Sequence, residues 1–364
     1  MSNNLATNIE QIKKEKDGLD VLGDIYIHAI FGEKISPENL ERFKWYGLYA
    51  QDKEQNLFEL KIPLSMGELN IKQIKILSQI IKNYSNDSLE ILNKQKISIK
   101  DIKLFDLPQI FNLLQEIGLN TSFEAGHTVR RVLTCPVNGL DTTQLFDVSA
   151  LANKLNDTFI GNKKFSNLPN KLQMAISGYE EGCDVQFIPD VSFNATKNDK
   201  DKIIFAVKIL DKIIGYVLPS MVVKTAIAIA NVYKDFGNRT NQNSSSFEHL
   251  VKTWGFEEFF NILNSTIDYK LQKNISIKNE IIPKKPRMGI HKSKIEKQSY
   301  IGCKIDFNIL KSSNLNSLEK LLEKFGATKI KITHKKNIVI LDAQSNSAET
   351  FAKELQNIGF NPFV

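Results

Sequence analysis

The feature that most restricts this chain is an internal repeat. Leu69-Asn70 opens a helical pattern with Ile71, Ile74, Leu77 and Ile80 or Ile81 on one face, a β-like stretch follows at 89–99, and a second helix closes at Gly118. The same order recurs from Leu315-Asn316. Leu318, Leu321, Leu322 and Phe325 share a face, Gly326 stops that helix, strands lie around 329–341, and a helix from Ala348 ends at Gly359. The copies overlay through Ile91-Leu92-Asn93-Lys94-Gln95-Lys96-Ile97 and Ile332-Thr333-His334-Lys335-Lys336-Asn337-Ile338. A repeated helix–strand–strand–helix unit reads as a duplicated α/β half-domain.

The two copies do not fill the chain, since 364 residues exceed one ordinary core and predict two or three domains. Between them, residues 121–273 alternate strand-like runs at 174–177, 185–188 and 203–209 with a helical run at 221–236 that Gly237 stops. The fold class is therefore α/β in the mixed, α+β sense: two duplicated half-domains around a central mixed α/β domain. The division is an N-terminal extension at 1–37, half-domain 1 at 38–120, the central domain at 121–273, a linker at 274–298 marked by Pro283, Pro286 and many lysines, and half-domain 2 at 299–364.

Hydrophobic residues at 42% and charged residues at 24% exclude wholesale disorder, collagen-like repeats and a long coiled coil. A formal charge of +7 admits an anionic small-molecule substrate or ligand. It does not suggest a nucleic-acid partner, because the aromatic residues do not alternate with basic ones in a stacking platform. The longest apolar stretch, 213–233, is broken by Pro219, Ser220 and Lys224, so no membrane span is expected. Cys135, Cys183 and Cys303 lack CxxC spacing and are odd in number, which fits a reducing cytoplasm and leaves no metal site to name.

Four stretches put cationic or amide side chains at loop positions: Asn93-Lys94-Gln95, His127 to Arg131, Leu168 to Gln173 with Asn170 and Lys171, and His334-Lys335-Lys336-Asn337. Together they suggest an anion cradle. The adjacent Arg130 and Arg131 are the more informative pair, because only five arginines occur and a guanidinium grips oxyanions bidentately. The residues alone also fit solvated hairpins and ordinary surface salt bridges. No GxGxxG, Walker A loop, HExxH or GxSxG is present, so those nucleotide and hydrolase classes lack their parts. His127 and His334 are placed to line a pocket, whereas His28, His249 and His291 have no partner at ligand spacing.

With Lys44-Trp45-Tyr46-Gly47-Leu48-Tyr49, the run 129–141 and Phe165-Ser166-Asn167-Leu168-Pro169-Asn170-Lys171 in this order, the chain resembles the siroheme-dependent nitrite and sulfite reductases from about residue 40 onward. The resemblance implies that the half-domains are ferredoxin-like and enclose siroheme, and that nitrite or sulfite undergoes six-electron reduction at its iron with a ferredoxin-type donor. It carries catalytic roles to Lys94, Arg130, Lys171 and Gln173, the last tilting the reading toward nitrite. It carries cofactor contacts to Asn93, Gln95, Arg131, Asn170, Lys335, Lys336 and Asn337. Lys94 and Asn170 stand where the family usually has arginine, and a lysine cannot reproduce that fork. The family also holds a four-iron four-sulfur cluster through C-x5-C and C-x3-C pairs. Those ligands are absent from this chain, so the resemblance implies a cluster-bearing C-terminal partner chain, or a non-catalytic tetrapyrrole-binding or interaction subunit. A relative of the precorrin-3B synthases is a further alternative.

Overall fold

The computed structural model describes residues 2–180, 188–278, 287–305 and 309–364, and side chains from Ile9 onward. Each repeat copy folds as its hydrophobic spacing predicts. The first has a helix at Ile71–Tyr84, strands at Leu89–Leu92 and Lys96–Ile102, and a helix at Leu107–Glu116; the second has Ser312–Phe325, Lys329–Ile332, Ile338–Gln344 and Ala348–Asn357. A capping box starts the first helix. The Asn70 side chain accepts from the Gln73 N–H, and Gln73 Oε1 accepts from the Asn70 N–H, both at 2.9 Å.

The copies do not stand as separate beads, because each lends a short strand to the other's sheet. Glu68–Asn70 of the first pairs antiparallel with Lys329–Ile332 of the second, and Ile309–Leu310 of the second pairs antiparallel with Leu89–Leu92 of the first. The two opening helices also pack on each other, with Ser78 Oγ donating to Asn316 Oδ1 at 2.7 Å. One continuous core results. It contains Ile74, Leu77, Ile91 and Ile97 from one copy with Leu318, Leu322, Ile330 and Phe351 from the other. At about 1.5–3 kcal/mol for each large side chain removed from water, neither face is stable exposed.

Part of this pairing lay beyond local pattern. The helix expected from Leu315 begins at Ser312, because Asp87 of the other copy accepts the Ser312 N–H at 2.9 Å and satisfies an otherwise orphaned donor. The stretch 274–298, read as a linker, carries the strand Gly289–Lys292, which pairs with Gln298–Ile305. Gly302 permits that approach, since a Cβ there would lie 1.7 Å from the Arg287 carbonyl oxygen.

The middle of the chain builds its own sheet in the order 212–217, 203–209, 191–197, 174–177, 133–134. Its last three strands run parallel and the others antiparallel. The helix Val222–Phe236 covers it, with Ala226, Ile229 and Tyr233 in the core. The strand Val191–Lys197 was not anticipated. Ser192, Asn194 and Thr196 alternate with Val191, Phe193 and Ala195, a period-two strand signal that the sequence reading passed over, and all six are buried. Residues 185–187 of the run expected at 185–188 lie outside the described residues, as do Cys183, Pro283 and Pro286. No helix among the described residues is long and apolar enough to cross a membrane.

One exchanged strand carries a buried charge. Lys331 is 1% exposed and its ammonium lies 3.2 Å from Glu68 Oε1 across the copy-to-copy pairing. Removing one partner leaves the other charge uncompensated, whereas removing both does not. Glu68→Gln should therefore lower the unfolding free energy in urea by about 2 kcal/mol, less than for a fully enclosed pair because Glu68 is partly exposed. Lys331→Met in the Glu68→Gln background should recover most of that loss.

Candidate functional site

The loops between the sheets carry the cationic stretches. In the first copy, the strands Leu89–Leu92 and Lys96–Ile102 are joined by a three-residue turn in which Lys94 and Gln95 have φ of 64° and 58°, a left-handed conformation that side chains rarely adopt. The turn is fixed by its last residue. Gln95 is buried, its Nε2 donates to the Met66 and Thr134 carbonyls at 3.1 and 3.2 Å, and its Oε1 accepts from Thr134 N–H at 3.2 Å. From the second copy, His334 Nε2 donates to the same Thr134 carbonyl at 3.2 Å. The two lysine-bearing turns therefore meet on the short strand Leu133–Thr134 of the middle sheet.

Beside this junction the chain gathers positive charge. Lys94 lies within electrostatic reach of Lys171, Lys96 and Arg130, three cations from other points along the sequence, and of Asp190. Burial lowers the Lys94 pKa first, and those neighbouring cations lower it further. Arg130 is held in place by neutral acceptors: its guanidinium donates to the carbonyls of Ala125 and Gly126 at 2.9 and 2.8 Å and to Thr128 Oγ1. Its backbone N–H donates to Leu172 O at 2.9 Å, which ties the 127–131 and 168–173 segments together. Lys96 is paired with buried Glu124, which also accepts from the Tyr49 hydroxyl at 3.0 Å.

The remaining residues singled out by sequence divide into other roles. Arg131 binds carbonyls other than those of Arg130, donating to Ser122 O and Asn120 O at 2.9 and 3.2 Å beside a cleft of about 500 Å³ lined also by Asn156, Asp157 and Lys329. Burial pushes its pKa down to about 10, so it remains a cation. Gln173 is buried, with Nε2 donating to the Arg131 and Met174 carbonyls at 3.0 and 3.2 Å. Asn170 donates to Ser245 Oγ at 2.9 Å and accepts from Lys171 N–H at 2.8 Å. These amides therefore set loop shape. Asn93 and Lys335 are exposed, Lys336 lies 3.7 Å from Glu90 of the first copy, and Asn337 N–H donates to Thr333 Oγ1 at 3.0 Å.

Sequence reasoning passed over Lys96, Glu124, Tyr49 and Asp190, which only the fold brings to Lys94 and Arg130. It also passed over the anchor behind the cluster. Lys13, from the helix Ser2–Glu15, is buried, donates to Leu168 O at 2.9 Å and to His127 Nδ1 at 3.2 Å, and is paired with Glu10. His127 stacks on Trp45, whose indole donates to Ser166 O at 2.9 Å. Trp45 is pinched between two glycines; a Cβ at Gly18 or Gly126 would lie 2.2 Å from its ring. The N-terminal helix thus fastens both segments that carry Arg130 and Lys171.

Fit to an iron-sulfur cluster is poor. The 364 residues contain three cysteines, one fewer than a four-thiolate ligand set needs. Cys303 is buried with its thiol pushed up to about 12 by burial, and Cys135 is buried with Arg287 donating to its sulfur. Among the described residues no group of three His, Cys, Asp or Glu could hold a metal ion. A polycarboxylate macrocycle fits by charge, since Lys94, Arg130 and Lys171 converge from three segments.

Comparison with known proteins agrees in order and extent. Residues 125–271 match the model of the nitrite and sulphite reductase 4Fe-4S domain. The chain is 28% identical over 347 residues to a ferredoxin–nitrite reductase of Leptolyngbya laminosa, covering 89% of this chain and 67% of that protein. It is 26% identical over 374 residues to a ferredoxin–nitrite reductase of Synechococcus elongatus, covering 97% and 72%. The solved structure of the Mycobacterium tuberculosis NirA protein superposes with a TM-score of 0.88 at 22% identity, over 98% of this chain and 70% of that one, which shows a shared fold.

The anchor has a pH signature. Burial, then Lys13 and Arg130, lower the His127 pKa from 6.5 to about 3, so the ring is neutral in the folded state when the unfolded ring is charged. The unfolded state then binds more protons between those values, and stability falls with acidification from about pH 6.5 toward 3, by up to about 1.4 kcal/mol per pH unit. In urea titrations at pH 7 and pH 5, His127→Gln should lose less stability on acidification than the unsubstituted chain.

Proposed function

Because this chain belongs to the nitrite and sulfite reductase family, an oxidoreductase family, we propose that it binds siroheme at the junction of the two copies and the middle sheet and reduces nitrite or sulfite there. The observation that carries the reading is the convergence of Lys94, Arg130 and Lys171 from three separate segments. At an effective dielectric near 20, like charges at ~6–8 Å repel by about 2 kcal/mol per pair, a cost that an entering polyanion relieves. Siroheme when bound supplies the iron on which the oxyanion is held. The cations of the 93–96, 127–131 and 168–173 segments, with Lys335 and Lys336 from the second copy, would hold its carboxylates.

The chain's own groups then handle charge and protons. Reduction of one nitrite to ammonium consumes six electrons and eight protons and releases two waters; the electrons come singly from reduced ferredoxin. Arg130, a permanent cation fixed by carbonyls, stabilises leaving oxygen through its charge without giving up a proton. Lys94 is the proton donor. Its lowered pKa makes the ammonium a stronger acid than an ordinary lysine, while exposed Lys171 exchanges protons with solvent. The thiolates for the family's cluster come from polypeptide other than these residues, and no step here passes through it. Gln173, with its amide spent on backbone carbonyls, shapes the site from behind and does not grip substrate.

Lys94 and Asn170, which stand where the resemblance implies arginines, favour a second reading, a tetrapyrrole-binding subunit without catalysis. Viologen-driven nitrite loss that appears only when a cysteine-bearing partner chain is added supports the enzyme; its absence with and without that partner supports the binder. Both readings predict that the chain, purified from a host making siroheme, carries a tetrapyrrole absorption band. The double substitution Lys94→Ala, Lys171→Ala should lower occupancy at least tenfold with unchanged far-ultraviolet circular dichroism. A folded chain with no band removes both readings.

A further inference from the structure

The cation cluster contains a carboxyl that the proposed chemistry leaves unused. Asp190 immediately precedes the central strand Val191–Lys197, and Gln173 immediately precedes the parallel strand Met174–Ser177 beside it. Those two strand starts are clipped together, since Gln173 N–H donates to Asp190 Oδ2 at 2.7 Å and Val191 N–H donates to Gln173 O at 3.3 Å. The Asp190 carbonyl is engaged as well, since Leu210 N–H donates to it at 2.9 Å. The side chain is therefore fixed at the edge where Lys171 and Arg130 emerge.

The charges facing it come from every element around the edge. Lys171 and Lys94 favour its ionised form, and its charge acts on Arg130. Glu248, from the helix Phe247–Trp254, opposes ionisation, and the Tyr233 phenol lies within reach of the same charge. Burial is the largest influence and raises the pKa in spite of the two lysines. An ionised Asp190 neutralises one cation of the cluster. A second anion brought to those cations meets it as a like charge, and protonating one of two facing anions removes that repulsion.

We propose that Asp190 makes oxyanion capture at Lys94, Arg130 and Lys171 proton-coupled: the entering anion draws one solvent proton onto the Asp190 carboxylate, which then faces it as a hydrogen-bond donor. The balance is one anion and one proton taken up together, with no bond broken in the ligand. This deepens the oxyanion-site reading above and rests on it. Capture is then favoured by acid, and it leaves a loaded carboxylic acid among the groups that feed protons to the reaction.

The test is calorimetric titration of the full chain with sodium nitrite, which stays anionic from pH 5.5 to 8, in two buffers of different ionisation enthalpy. The unsubstituted chain should take up a proton for each nitrite bound, with affinity falling by up to tenfold per pH unit above the titration of the free carboxyl. Asp190→Asn should bind nitrite with an affinity that does not fall as pH rises, without proton uptake. Asp190→Ser, which keeps an acceptor for Gln173 N–H, provides the same comparison if the asparagine variant does not fold. Nitrite binding with no proton uptake, or uptake that persists in the variants because Lys94 supplies it, overturns the role of Asp190 alone. Failure of the folded, unsubstituted chain to bind nitrite at any pH overturns the oxyanion-site reading as well.

Discussion

The whole arrangement depends on the backbone of one residue. Thr134 offers its N–H and its carbonyl from a two-residue strand of the middle sheet, and the Gln95 amide pairs with both, as a neighbouring strand would. His334 reaches the same carbonyl from the other copy. Each bond is worth about 1 kcal/mol net, but leaving any of these buried groups unmet costs more. The register of three folded units is therefore decided at one backbone position, and the lysines adjoining Gln95 and His334 are carried into place with it.

That constraint explains the division between gripping and shaping residues. Amides and arginine donors that meet backbone carbonyls, as in Gln95, Gln173 and Arg131, hold loops at fixed distances. Ammonium groups on flexible stems, as in Lys94 and Lys171, supply charge without the rigid fork of a guanidinium. Arg130 does both, because its donors are capped by the carbonyls of its own loop while its charge remains. Strand exchange between the copies serves the same end, since it prevents one lysine turn from moving relative to the other.

Much of the fold was legible in the sequence because the repeat is written in local periodicity. Ile74, Leu77 and Ile81 recur as Leu315, Leu318 and Leu322, and the glycines at 118, 326 and 359 mark ends that the chain respects. What could not be read depends on distant partners. The Ser312 helix start is capped by Asp87, and Asp190 joins the lysines only through parallel strand pairing. The anion-site residues were legible as types. Which of them converge was not, because Arg130 and Arg131 are adjacent in sequence yet only Arg130 lies within reach of Lys94, and nothing in the string Val-Arg-Arg says which one it is. The buried Lys13 anchor was invisible for the same reason: its meaning lies in Leu168 and His127, more than a hundred positions away.

The central claim is that separated segments close on one polyanion. Hydrogen–deuterium exchange of the intact chain, with and without an iron-free tetrapyrrole bearing eight carboxylates, tests it directly. The account predicts joint protection of amides in 93–96, 127–131, 168–173 and 333–337 at the same ligand concentration. Protection confined to one of these segments, or binding that leaves all of them unchanged, would contradict it.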